Sequence, residues 1–288
     1  MPVVVAHSAS GLSMLHAVIL SALQGFTELF PFSSLGVQVI VPRLLHWNFI
    51  QSSPQFLPFV VSLHVGTALG LLLYFWRDWL RLIRAWWDSL RDELASVRRV
   101  PEQKTIWLLI VATIPAGLVG LAFRHPLARL FAAPLAAAVM LIVNGAIMAL
   151  GERMVRHREE DIAGMGFGQA VGIGVSQVLA LVPGLSRSGV TMVGGLSVGL
   201  SYETAARFSF LMATPIILAA GALEVKHLHG GAHGLLHQAA VGFVVAAVVA
   251  YLSVRYLMRY FQTQRLLPLA IISAAAGVLF TALLLAGV

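Results

Sequence analysis

Pro183-Gly184-Leu185-Ser186-Arg187-Ser188-Gly189-Val190-Thr191 interrupts an otherwise apolar run over about 168–200, and this stretch decides how the chain is read. Pro removes a backbone donor and clashes with the preceding turn, and Gly frees the backbone, so a helix stops here. Three hydroxyls and one guanidinium follow at once. A second run, over about 12–45, is broken in the same manner by Pro31 and Ser33-Ser34-Leu35-Gly36. Both read as discontinuous, re-entrant helices. At membrane depth such backbone survives only where it is buried in protein or lines a polar cavity.

Composition puts these runs in a membrane. Of 288 residues, 59% are hydrophobic and 11% charged, with 26 Gly and no Cys. Soluble domains carry about 25% charged residues, so the polar surface is too small for water. An ordinary cytosolic enzyme, a disordered chain and a disulfide scaffold are excluded, as are thiol catalysis and thiolate metal sites. The net charge of +7 does not indicate nucleic acid, because the basic residues fall in short clusters between long charge-free runs. A spanning helix needs about 20 apolar residues. Windows at about 56–75, 105–123, 134–150, 207–225, 239–258 and 267–287 qualify or nearly so. The fold class is thus an all-α integral membrane protein: six spanning helices plus two broken re-entrant pairs, in one polytopic domain over 1–288.

Basic residues orient it. Arg77, Arg81, Arg84, Arg91, Arg98, Arg99 and Lys104 mark the 76–104 connection; Arg153, Arg156 and Arg158 mark a second, and Arg255, Arg259 and Arg265 a third. Placing all three in the cytoplasm agrees with six spans and puts both termini outside. The first broken run then enters from outside and the second from inside. The halves, about 1–133 and 134–288, become inverted repeats. Counted from Gln24 and Gln177, both carry Ser at +9 (Ser33, Ser186), Gly at +12 (Gly36, Gly189) and Val at +13 (Val37, Val190). Inverted repeats with broken helices place their site near the midplane, where the halves meet. No Lys or Arg precedes Arg43, so the N-terminal apolar run is expected to be retained rather than cleaved as a secretory signal.

Charges within apolar runs are costly and mark function by default. Glu28 and Arg187, beside and within the two breaks, stand out. Gln24 and Glu28 share a helix face at four-residue spacing. Ser33-Ser34 and Ser186 to Ser188 each precede what reads as a new helix, offering capping hydroxyls and free N–H groups at a positive dipole end. Two such ends meeting form an anion site, and a guanidinium fork suits phosphate oxygens. Beside a bound anion, Glu28 reads as a base or a metal ligand. The bland alternative is a buried Glu28–Arg187 pair that only neutralises itself, with the serines satisfying broken backbone.

The 183–191 motif resembles the signature of the undecaprenyl-pyrophosphate phosphatase family, also called the bacitracin-resistance proteins. Gln24 to Gly36 resembles that family's Glu/Gln-x-x-x-Glu followed by Leu-Pro-x-Ser-Ser-x-Gly-His; Leu63-His64-x-Gly66-Thr67 and Phe208-Ser209-Phe210-Leu211 with Pro215 are similar to further family segments. The resemblance implies hydrolysis of a C55 polyprenyl pyrophosphate to the lipid monophosphate reused in cell-wall synthesis. It also implies the bacterial cytoplasmic (inner) membrane, a site open to the outer face, and a divalent cation, Mg or Ca. Carried over by position, Ser34 is the nucleophile and Glu28 activates it or helps hold the metal. Gln24 takes the other first-motif position. Arg187 clamps the diphosphate, with Ser33, Gly184, Ser186, Ser188 and Thr191 in the binding set. A flippase for polyprenyl phosphate is the alternative, since alternating access also uses inverted repeats.

One position departs from the family. His usually follows the Gly of the first motif, whereas this chain has Val37. That removes a proton handler near neutral pH and leaves His64 as the nearest candidate, against a bland reading as a hydrogen-bonded packing residue. His227, His229, His233 and His237 lie in a Gly-rich connection and read as solvated, because zinc needs a third ligand that a lone pair lacks. Trp76, Trp79, Trp86 and Trp87 read as interfacial anchors.

Overall fold

The computed structural model describes residues 12–47, 56–123, 133–153, 161–228 and 236–287, and among them every regular element is a helix. The helices are α1 (Met14–Thr27), α2 (Ser34–Leu44), α3 (Phe56–Tyr74), α4 (Trp76–Arg91), α5 (Pro101–Ala122), α6 (Pro134–Arg153), α7 (Phe167–Leu179), α8 (Arg187–Ser197), α9 (Tyr202–Leu228), α10 (Leu236–Tyr260) and α11 (Leu267–Leu285). Five are long and apolar enough to cross a membrane: α5, α6, α9 (over Tyr202–Ala222), α10 and α11. α3 is the apolar arm of a sixth candidate span, counted together with α4, which it meets at a bend of 84°. The six sequence windows therefore each fall on a candidate spanning helix or on the apolar arm of the bent pair. Their ends move outward where polar turns open a helix: α5 starts at Pro101, a favoured first helical residue, four positions before the apolar window.

Both broken runs are broken where their residues indicate. α1 and α2 are separated by 28–33, and α7 and α8 by 180–186. The two first halves sit in matching surroundings: α1 packs on α10, α7 on α5, while α3 and α9 pack on each other. Helix backbones touch at these contacts. A Cβ on Gly25 would lie 2.6 Å from the Ala246 carbonyl oxygen, and one on Gly174 would lie 2.3 Å from that of Ala112. α6 packs on both α2 and α8, and so passes both breaks.

The first half of the basic 76–104 connection is the regular helix α4, which carries Trp76, Trp79, Trp86 and Trp87. It lacks the long uninterrupted apolar run that marks a span, having instead a narrow apolar stripe between arginines. Of the histidine-rich connection only His237, on α10, has a described side chain; His229 and His233 lie outside the described residues.

Candidate active site

The two breaks meet, and they are built alike. Ser33 holds extended backbone angles (φ −75°, ψ 106°) and caps α2, its Oγ accepting the Gly36 N–H at 3.1 Å. Ser186 (φ −87°, ψ 124°) caps α8, its Oγ accepting the Gly189 N–H at 3.2 Å. The next residue in each case opens the helix: Ser34 in α2 and Arg187 in α8. The earliest N–H groups of a helix have no intrahelical acceptor. At Ser34 and Leu35, and again at Arg187 and Ser188, they form two positive helix ends directed into one region.

Cross-links hold the breaks together. Ser33 Oγ also accepts the Gly184 N–H at 2.9 Å, and Ser188 donates to the Phe30 carbonyl at 3.3 Å. Ser186 and Ser188 hydroxyls lie 3.1 Å apart. Gly184 sits at φ +101°, and a Cβ there would come within 2.3 Å of the Ala137 carbonyl oxygen, so both conformation and space demand glycine.

At the centre is Glu28, buried to 7% exposure. Its Oε2 accepts from the Ser34 hydroxyl at 2.5 Å and from Gln24 Nε2 at 3.0 Å. Its Oε1 accepts from Arg187 Nη2 at 2.9 Å, while Arg187 Nη1 reaches the Ser209 carbonyl at 3.4 Å. His64, on α3, brings Nε2 to 3.5 Å from Glu28 Oε2, and its Nδ1 lies 2.9 Å from the Val60 carbonyl. A carbonyl only accepts, so Nδ1 carries a proton. Neutral His64 then presents a bare Nε2 to the carboxylate group, and protonated His64 presents an N–H. Val37 is buried one turn into α2, with its N–H bonded to the Ser33 carbonyl, so the imidazole at this carboxylate comes from α3 rather than from the first motif.

The residues singled out from sequence thus divide. Ser34, Glu28, Arg187, Gln24 and His64 form one contiguous hydrogen-bonded or ion-paired cluster. Ser33, Gly184, Ser186 and Ser188 lie beside it, with their groups engaged in capping and cross-linking. Thr191 Oγ1 bonds back to the Arg187 carbonyl at 2.7 Å and lies 2.6 Å from Ser209 Oγ. It supports the helix that carries Arg187.

Two residues escaped the sequence reading. Asn144, at 0% exposure in the middle of α6, donates from Nδ2 to the Pro31 carbonyl at 2.9 Å and to Ser273 Oγ at 3.0 Å. Its Oδ1 accepts the Ser186 N–H at 2.9 Å. One side chain thereby ties both breaks to one span. Its signal was an amide amid an apolar window, which is costly without partners. Ser209, whose carbonyl accepts from Arg187 and whose hydroxyl lies beside Thr191, is a single serine on a spanning helix and carries no such signal.

A divalent cation can be tested against these donors. Among the described residues no three His, Asp or Glu side chains converge. Glu28 is the one carboxylate in the cluster, and Gln24 Oε1 beside it is buried without a hydrogen-bond partner. One carboxylate and one amide oxygen suit a hard cation that takes most of its ligands from a substrate's phosphates and from water.

An all-α, multi-pass membrane protein whose two broken helices meet around a serine, a carboxylate and an arginine is the class that fold and site define. The chain belongs to the family described as bacitracin resistance protein BacA, whose model matches residues 17–279. It is 52% identical over 257 residues to the undecaprenyl-diphosphatase of Acidiphilium cryptum (strain JF-5), a match covering 85% of this chain and 88% of that protein. It is 44% identical over 296 aligned positions to the undecaprenyl-diphosphatase of Mycolicibacterium paratuberculosis, covering 92% and 95%. Undecaprenyl-diphosphatase 2 of Burkholderia thailandensis is 47% identical over 270 positions, again covering 92% and 95%.

Proposed function

We propose that this chain hydrolyses undecaprenyl pyrophosphate to undecaprenyl phosphate and orthophosphate at the junction of the two breaks. The observation that carries the reading is the 2.5 Å hydrogen bond from Ser34 to Glu28, whose other oxygen holds Arg187. Ser34 Oγ attacks the terminal phosphorus and passes its proton to Glu28 Oε2. The new Oγ–P bond replaces the anhydride P–O bond; the electron pair leaves on the lipid monophosphate, whose leaving oxygen takes the proton from Glu28 and so restores its carboxylate. Water then attacks the phosphoserine with Glu28 or His64 taking its proton; the Oγ–P bond breaks, Ser34 regains a proton and orthophosphate departs.

Arg187 and Glu28 neutralise one another while the site holds no anion. An arriving diphosphate competes for the guanidinium fork, which frees Glu28 from Arg187 while its Oε2 keeps the Ser34 hydroxyl. The N-termini of α2 and α8 stabilise charge on the equatorial phosphoryl oxygens, as preorganised dipoles do. A divalent cation, Mg or Ca, would be held by Glu28 and Gln24 Oε1, and would supply neutralisation of phosphate charge.

The same reading places the protein in the bacterial inner membrane, as one domain of two inverted halves, with the site facing outside and no nucleic-acid partner. The matched surroundings of α1 and α7 support the repeat, and the basic clusters support the orientation. The test is phosphate release from undecaprenyl pyrophosphate by protein reconstituted in vesicles, beside Ser34→Ala and with chelator or added Mg or Ca. Release by the wild type and none by the variant is expected. Undiminished release by the variant overturns the nucleophile, and lipid movement without release overturns the hydrolase.

A further inference from the structure

The 84° bend at Phe75 throws α4 out of line with the span that precedes it. Five large apolar side chains on α4 are exposed between 41% and 55%: Trp76, Leu80, Ile83, Trp87 and Leu90. Their spacing alternates four, three, four, three. At 3.6 residues per turn they share an arc of about 80°. The opposite sector, Leu82, Ala85 and Ser89, is buried, and α4 packs on α5, where Trp107 Nε1 donates to Ser89 Oγ at 3.1 Å. Trp79 and Trp86, partly buried, bridge the buried sector to the exposed stripe. On the stripe's other flank stand Arg77, Arg81, Arg84 and Arg91, all exposed. Around the helix the order is protein, apolar stripe, then a net-positive flank of the four arginines with Asp88 among them, 3.9 Å from Arg91, while Arg81 also pairs with Asp78 at the edge of the buried sector.

We propose that α4 lies in the plane of the membrane surface, with the Trp76–Leu90 stripe seated among acyl chains and the four arginines against anionic lipid headgroups. The occupant is a lipid leaflet rather than a second copy of the chain, on two grounds. A spanning helix bent through 84° runs along the bilayer surface and not through it. Cations lining one edge of an apolar stripe, with tryptophans within it, fit the boundary between acyl chains and negative headgroups. A homotypic seam would set these same arginines against their copies. The seat also bears on the rest of the fold: Arg207 Nη2 donates to Asp78 at 2.8 Å, joining α4 to α9, which carries Ser209.

The chain has no cysteine, so single labels are unambiguous. Full-length protein carrying Ile83→Cys, Trp87→Cys or Arg84→Cys is spin-labelled and reconstituted in phosphatidylcholine with about a third phosphatidylglycerol, an anionic content of the kind such segments bind. Labels at 83 and 87 should favour oxygen over a water-soluble nickel relaxant several-fold, and the label at 84 should show the reverse. Water-like accessibility at 83 and 87 overturns the proposal, and so does spin–spin broadening between copies. A fluorophore at the Ile83→Cys position, quenched by brominated lipid, reads the headgroup preference. Brominated phosphatidylglycerol should quench at least about twofold better than brominated phosphatidylcholine, given the attraction expected per arginine. That preference should vanish when Arg77, Arg81, Arg84 and Arg91 are all changed to Gln. Equal quenching by the two lipids in the unsubstituted background overturns the anionic assignment.

Discussion

The breaks at 28–33 and 180–186 share a scaffold and differ in charge. Each ends at a serine whose hydroxyl caps the N–H three residues on, and each gives its carbonyl to the fourth. The residue that opens the helix is Ser34 in one and Arg187 in the other. Glu28 stands four residues after Gln24, whereas the position four after Gln177 is Leu181. One piece of backbone, used twice, thus presents a hydroxyl with a carboxylate from one side and a guanidinium from the other. Duplicated capping solves the problem of ending helices inside a membrane; divergence at the opening residue makes the junction chemically asymmetric.

That comparison can be broken first at its reactive member. Ser34→Ala should lower phosphate release by about 10⁴-fold or more, as loss of a nucleophile does, while circular dichroism shows an intact helical fold. Arg187→Ala, on the opposite side, should lower it by about 10²–10³-fold, the loss typical of one group that holds developing charge. Arg187→Lys should recover only part, because an ammonium lacks the fork. A Lys variant with full activity would reduce Arg187 to a point charge.

His64→Gln isolates proton handling from the scaffold. A drop of about 10²-fold in kcat with little change in KM is expected if the imidazole moves a proton. A rise in KM at unchanged kcat would mean that it acts only through packing. Adding the family's usual residue by Val37→His should then raise activity only slightly in the wild-type background and more strongly in His64→Gln.

The scaffold itself is sharpened by Asn144→Ala, which strands the Pro31 carbonyl and the Ser186 N–H, one in each break. Leaving buried partners unpaired costs about 1–3 kcal/mol per group. Thermal unfolding in detergent should therefore fall markedly, with both breaks affected. Smallest is the contrast between the caps. Ser186→Ala should cost about 1 kcal/mol, and Ser33→Ala more, because Ser33 also satisfies Gly184 across the junction. Equal losses would show that the cross-link contributes nothing.

Much of this was open to reading along the chain. Apolar windows located the six spans, and Pro31 and Pro183-Gly184 located the breaks, because the cost of charge and of unpaired backbone in hydrocarbon leaves few arrangements. Glu28 and Arg187 announced themselves as charges where charges are expensive. Helix α4 did not, because a stripe of five apolar residues between arginines has the composition of a connection, and its apolar periodicity carries the signal. Asn144 was visible as an amide in an apolar window, but its three partners are 113, 42 and 129 residues away.

The sequence by itself determined that this is a helical membrane protein with two broken runs, and singled out Ser34, Glu28 and Arg187 as candidate site residues. Only the tertiary structure decided that Arg187 meets a carboxylate 159 residues away. It also decided that His64 reaches the same carboxylate from α3, and that most of the remaining hydroxyls hold backbone. The reason is physical. Solvation acts on each residue where it stands and leaves its mark in local composition, whereas hydrogen-bond partners are chosen by which helices pack together.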